Sequence, residues 1–290
     1  MTTPEKETAA RGAETVQDLQ NALREIEAWE KDQGDLWFWE KIGRLPFQLL
    51  DRLTPKFIQD KIGLAMDEVG SFVQTGGRYL LSERGILQRL EEEQRRAGGP
   101  SSGAPLTMEG AASLPLAVMD RAAAELAKSR VTLATAQGAT TGFGGIFTLA
   151  IDIPALLGLS LKVLQELAIV YGFDPKDKGE RIFVIKCLQF VNSDIVGKKA
   201  VLGEIADFGS ENRQREALSQ LQGWREVIAA YRDNFGWKKL FQMVPVAGMV
   251  FGAFLNRSTL QDVVEAGTML YRKRRVLERM RELEEAAGTR

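Results

Sequence analysis

Between Val131 and Ile151 the chain carries no charged side chain. The stretch passes through Gly138, Gly142, Gly144 and Gly145, meets Asp152-Ile153-Pro154, and is then almost purely aliphatic as far as Tyr171. Removing apolar surface from water is favourable by about 25 cal/mol per Å², so segment 131–172 has to be enclosed by protein or by lipid. A second segment of the same kind, 240–256, contains Val244-Pro245 and then Gly248, Met249, Val250, Phe251, Gly252, Ala253, Phe254, Leu255 and Asn256. Neither is a clean span of the roughly 20 apolar residues that cross a bilayer. The first is diluted by Thr, Gln and Gly, and the second is short and contains Pro245.

Gly138 and Gly142 are four apart, as are Gly248 and Gly252. On a helix such a pair makes a shallow groove into which a second backbone can come close. A helical glycine costs about 1 kcal/mol relative to alanine, so the pairs need an offsetting gain. Close helix packing supplies one, with Gly145 adding to the first groove. The expectation is that the two glycine-rich segments lie near one another in a single core. The competing expectation is lipid: small-xxx-small faces also pack helices in membranes. The hairpin 131–172 would then enter a bilayer shallowly, with Trp37, Trp39 and the basic run Arg272–Arg275 at the interface. Packing under a bundle is the alternative role for the two Trp, and a solvated helix face the alternative for the basic run.

The rest of the chain reads as helices. Val16, Leu19, Leu23, Ile26 and Trp29 recur at helical spacing over Thr15–Asp32. Residues 1–14 are polar with nothing to bury and are expected to be a disordered tail. Thr54-Pro55 starts another helix, Tyr79–Arg96 a further one, and Ala97–Pro105 (AGGPSSGAP) is the strongest loop signal. Leu114-Pro115 opens the next helix, and Gly172 suits a C-terminal left-handed position. Asp174-Pro175 is expected to cap an apolar helix through Phe190, Glu211–Arg232 forms another, and Thr259–Ala287 the last. No segment shows sustained period-2 alternation. The predicted fold is all-α, a compact multi-helix bundle: one domain over 15–290, with the glycine-rich helices of 131–172 and 240–256 at its core.

Several function classes are excluded early. The chain has no histidine, which removes Ser-His-Asp and Cys-His catalysis and most catalytic zinc sites. Its one cysteine, Cys187, lies in an apolar run and permits neither a disulfide framework nor a CxxC motif. No metal or cofactor is expected. A net charge of −1 gives no overall basic field for nucleic acid. TTGFGG lacks the Lys-Ser/Thr that follows a phosphate loop, and no strand precedes it. The N-terminus has no apolar h-region, so a cytoplasmic protein is expected. The candidate polar residues are Asp120, Asp152, Glu166 and Asn256. Asp152, two before Pro154, fits an N-cap, and Lys162 and Glu166, four apart, can pair along a helix. An acid/base pair of Asp152 and Glu166 would be about 21 Å apart on a straight helix, too far for glycosidase-type cooperation.

One family pattern fits these residues. The order Asp120, Gly138-x3-Gly142-x-Gly144-Gly145, Asp152-Ile153-Pro154, Tyr171-Gly172-x-Asp174, Val244-Pro245-x2-Gly248-x3-Gly252-x3-Asn256 resembles the EcsC family from about Trp29 to Tyr271. That family is named for a member encoded beside an ABC transporter, and no molecular function is established for it. Its members commonly have an acidic residue just before the first glycine. Here that place is Gln137, which argues against chemistry at that position. The resemblance implies a bacterial protein on the cytoplasmic side, associated with the membrane, and supplies no catalytic residue. The expected function is a non-catalytic helical scaffold or accessory protein held peripherally on the inner face of the membrane by lipid or by a membrane protein. The alternatives are a carboxylate-based hydrolase using Asp120, Asp152 or Glu166, and a carrier of lipid or another apolar ligand.

Overall fold

A computed structural model describes residues 14–33, 72, 76, 81–99, 103–141, 146–193, 195–206 and 245–288. All secondary structure among these residues is helical. Helix α1 (Val16–Asp32) begins at a reciprocal cap: Thr15 Oγ1 accepts from the Asp18 amide, and the Asp18 carboxylate accepts from the Thr15 amide at 2.9 Å. Leu19, Ala22, Ile26 and Trp29, one face at helical spacing, are buried. Ser82 caps α2 (Glu83–Arg96) and Thr107 caps the short α3 (Met108–Ala112), each accepting from the amide three residues on. Then come α4 (Leu116–Thr141), α5 (Ile146–Val170), α6 (Lys178–Asn192), α7 (Ile195–Ala206) and α8 (Pro245–Gly288).

The bundle is built round α8. Its 44 residues make a rod about 66 Å long at 1.5 Å per residue. Helices α1, α4, α5 and α6 all pack against it, α4 most extensively, while α2 and α3 lie over the α4–α5 side and α7 pairs with α6. Helix α4 runs antiparallel to α8: Asp120 meets Arg272, and the Leu114 carbonyl, just before α4, meets Arg279. From Leu156 to Tyr171 almost every α5 residue is buried, and so are Ile182–Leu188 and Phe190 of α6. Helices apolar on all sides belong in the interior, and here they form one core with Leu260, Val263, Val264, Leu270, Tyr271 and Val276 of α8.

Two glycines explain how closely these rods approach. A Cβ on Gly267 of α8 would lie 2.5 Å from Leu164 Cδ2 and 2.9 Å from Leu167 Cδ1 of α5. Gly172 ends α5 at φ +76°, as its sequence position predicts. The Phe173 amide donates to the Ala168 carbonyl at 2.8 Å and the Gly172 amide to Ile169 at 3.0 Å, the Schellman pattern. A Cβ there would meet Ala112 Cα at 2.4 Å.

Some boundaries differ from the sequence expectation. Asp152 is not an N-cap: α5 begins at Ile146 and continues through both Asp152 and Pro154. The described part of α4 ends at Thr141, and α5 carries its proline in the helix interior at the loss of one ladder bond. Similarly, 245–256 and the last helix are one continuous rod, with Pro245 at its first turn, where a missing amide costs nothing. Asp174-Pro175 forms a turn, Asp174 Oδ1 accepting from the Lys176 amide, and α6 starts only at Lys178. Glu14, expected at the end of a disordered tail, is anchored: its carboxylate accepts from the Leu116 amide and from Arg279. The expectations for residues 1–13, for the Trp37/Trp39 cluster, and for helices starting at Thr54-Pro55 and over Glu211–Arg232 lie outside the described residues.

Gly172→Ala combines a left-handed backbone with a backbone clash and should lower stability by at least about 3 kcal/mol. Gly203→Ala in α7, where a Cβ has open space, should instead be neutral or stabilising by up to about 1 kcal/mol. Urea midpoints of the two variants check this pair.

Candidate functional site

The described structure has two chemically opposite regions along α8. The first is a seam of ion pairs around residues 265–279. Arg272–Arg275 is not a solvated face, nor free to meet a membrane: helices surround α8, so each cation points at a neighbour. Arg272 Nε donates to Asp120 Oδ2 at 3.0 Å and its Nη1 to Glu25 Oε2 at 2.9 Å. Lys273 pairs with Glu30 at 2.7 Å. Arg274 forms a two-pronged bond to Glu180 at 2.6 and 2.8 Å. It is also stacked 4.0 Å from the Phe173 ring centre and 4.3 Å from that of Phe183, a cation–π setting. Arg275 donates to the carbonyls of Tyr171 at 2.8 Å and Gly172 at 3.1 Å, neutralising the negative end of the α5 dipole. Burial lowers the Arg275 guanidinium to about 10, which leaves it charged at neutral pH. One turn further, Arg279, 2% exposed, donates to the carbonyls of Ala112 and Leu114.

The candidate carboxylates sit inside this scheme. Asp120 Oδ1 accepts from the Tyr171 hydroxyl at 2.9 Å while its other oxygen takes Arg272. Burial raises its carboxyl above the usual range, opposed by the Arg272 charge and by the bonds from Tyr171 and Arg272. Glu166, 1% exposed, does not pair with Lys162. It accepts two bonds from Arg130 of α4, at 2.6 and 2.7 Å, because its side of α5 faces α4. Asp120 and Arg130 are ten residues apart on one helix, so the two carboxylates are separated by about 15 Å along the bundle axis and share no ion pair. Asn256 is fully buried on α8. Sequence reading missed the partners Tyr171, Arg130, Glu180 and Arg275. The available signal was a charged residue in an otherwise apolar stripe, which has to be matched by an opposite charge when buried.

The second region is the glycine-rich end. The described parts of 131–172 and the helix that carries 245–256 pack on one another. Carried along the antiparallel helices from Asp120–Arg272, Gly138 comes level with about residue 254 of α8, within a turn of Gly252. Gly138 is buried, whereas Leu133 is 50% exposed and Phe254 65% exposed. Ala136 and Thr140 are exposed too. This end therefore presents apolar side chains to solvent with no charge on α4 beyond Arg130 or on α8 before Arg257. Among the described residues no helix is long and apolar enough to cross a membrane, and no group of His, Cys, Asp or Glu is placed to hold a metal. A cavity of about 40 Å³ lies between Phe183, Ile205, Leu277 and Arg281, room for a water or two but not for an acyl chain.

The described residues thus form an all-helical bundle with a paired charged seam along a glycine-bearing central rod. The EcsC protein family profile matches residues 20–276, and the chain belongs to that family. It is 57% identical over 271 residues to the Bacillus subtilis (strain 168) protein "Uncharacterized protein YdbA", covering 93% of this chain and 97% of that one. It is 33% identical over 168 residues to "Protein EcsC" of the same organism, covering 57% of this chain and 65% of that one. No solved structure matches the chain.

Glu180→Gln leaves the Arg274 charge buried without a counter-charge and should cost about 3–5 kcal/mol. The double change Glu180→Leu with Arg274→Met should recover most of that loss, and chemical denaturation of the three proteins checks both. Asp120 gives a pH signature. Its folded pKa is raised, so the stability it contributes is present below the unfolded value near 3.9 and is lost as pH rises through the folded value. As pH rises from about 3.5 through the folded value the wild type should therefore lose stability relative to Asp120→Asn, read as a widening difference in urea midpoint.

Proposed function

We propose that this protein is a non-catalytic helical scaffold that docks peripherally on the cytoplasmic face of a membrane through the glycine-rich end of its bundle. The observation that carries this reading is the exposure of Phe254 and Leu133 at an end of the molecule where two helices run uncharged, over 131–141 and 245–256. Large apolar side chains left exposed at one end of a bundle are the kind of surface that marks an interaction site. The rest of the bundle is organised to resist opening. Its cations are tied to partners on four other helices, which suits a rigid body presenting one end. Asp152 within α5 opposes full insertion, because a carboxylate at bilayer depth is costly. The depth consistent with it is that of an interfacial helix, about 5–10 Å into the headgroup boundary.

The alternatives gain no support of this kind. A carboxylate hydrolase needs two of its acids within one site, and Asp120 and Glu166 are bound in separate ion pairs. An apolar-ligand carrier needs space among residues 153–171, where Leu156, Leu161, Val163, Leu164 and Leu167 are fully packed.

Vesicle flotation tests the reading. Wild-type protein should float with vesicles, and Leu133→Asp with Phe254→Asp should leave it at the bottom of the gradient with unchanged helical circular dichroism. Wild-type protein that stays wholly in the soluble fraction, with neutral and with anionic vesicles alike, overturns it.

A further inference from the structure

Resting on that reading, we infer that the apolar end is bordered by a band of unpaired cations, Lys128, Lys162 and Arg257, that selects anionic lipid headgroups. The flanks of the uncharged runs are where the argument starts. Arg130 immediately precedes the run of α4, Lys162 closes the aliphatic run of α5, and Arg257 closes the run of α8. On α4 and α8 the first charge met on the bundle side of the apolar end is thus basic, Arg130 and Arg257; on α5 Asp152 comes before Lys162.

The pairing pattern separates these cations from those of the seam. Arg130 is consumed by Glu166, and Arg272, Lys273 and Arg274 by Asp120, Glu30 and Glu180. The side chains of Lys128 and Arg257 are exposed and that of Lys162 half-buried, and among the described residues none of the three has a carboxylate within salt-bridge distance. Glu166, the acid one turn from Lys162, is the one taken by Arg130, and Glu265 on α8 is engaged by Trp29 at 2.7 Å. An unpaired cation costs nothing in water, but three within about two turns of one another make a local positive field.

Their height fits an interface. Lys162 is one turn beyond Glu166, which touches Arg130, and Lys128 lies half a turn on the other side of Arg130. The antiparallel register set by Asp120 and Arg272 puts Arg257 level with about residue 135 of α4. The cations thus span about two turns, and Thr141, the last residue of α4, lies about 9 Å beyond Arg257. That distance matches the depth to which an interfacial apolar face is buried, about 5–10 Å. With the end of α4 and Phe254 in the acyl boundary, Lys162 and Arg257 reach the headgroup phosphates and anionic headgroups, leaving the paired seam in water.

The experiment is flotation of the full chain with phosphatidylcholine vesicles and with vesicles containing about one third phosphatidylglycerol, each at low and high salt. Partitioning should be at least tenfold stronger with the anionic vesicles and should fall with salt. Each basic residue near such a surface is worth about fivefold, so Lys162→Gln with Arg257→Gln should weaken anionic binding by roughly 25-fold with helicity unchanged. Equal binding to neutral and anionic vesicles, or wild-type anionic binding by the double variant, overturns the cation band while leaving peripheral docking standing. Absence of binding to either vesicle overturns both.

Discussion

A charged helix can occupy the centre of a bundle only if its charges are matched there. Helix α8 carries a stretch that would be a solvated face on a peripheral helix, Arg272 to Arg275 followed by Arg279, yet neighbours enclose it. Each cation is met on a different side: Asp120 from α4, Glu30 from α1, Glu180 from α6, and the terminal carbonyls of α5 for Arg275. Removing one partner would leave a buried charge exposed to the full desolvation penalty, so these pairs fix which helix lies where more than they add net stability. Hydrophobic burial along α5 and α6 is non-directional. The arginines and their acids supply the direction, and with it the register that makes the two ends of the bundle different.

That register depends on a few small residues. Gly267 lets α5 approach α8 closely enough for Leu164 and Leu167 to fill the space where its side chain would be. Gly172 turns the chain out of α5 against Ala112, placing the Tyr171 and Gly172 carbonyls where Arg275 can reach both. Tyr171 is thereby shared between two functions of the seam: its hydroxyl fixes Asp120, and its carbonyl receives Arg275. Cys187 shows the complementary case. Fully buried between aromatic and aliphatic neighbours, its thiol is pushed well above its usual range by burial, so it packs as a small hydrophobe rather than reacting as a thiolate.

The helical character of the chain, the amphipathic helix over Thr15–Asp32 and the left-handed Gly172 were all legible in the residues, because each follows from local spacing or from a single backbone requirement. The EcsC resemblance was legible as well, through the order of its glycine and proline motifs. What was not legible was tertiary. Asp152-Ile153-Pro154 carries the local marks of a helix start, but α5 begins at Ile146 and runs through the proline. Lys162 and Glu166 have ideal spacing for a pair on one helix, yet Glu166 faces α4 and prefers a two-pronged Arg130 to a flexible lysine. Periodicity reports which side of a helix is apolar. It is silent on how many other helices surround that helix, and the number of neighbours decides whether an arginine run is a surface or a seam.

The same logic links structure to proposed function. A bundle that matches charge with charge at one end has no such means at the other, since neither α4 beyond Arg130 nor α8 before Arg257 carries a charge to place. Apolar packing alone would suffice there if all the large side chains turned inward. Phe254 and Leu133 do not. Water is then a poor solvent for that end and a good one for the seam. On the proposed reading a molecule divided in this way would be oriented by a boundary between polar and apolar media, and Lys162 and Arg257 at the division would give that boundary a preferred sign.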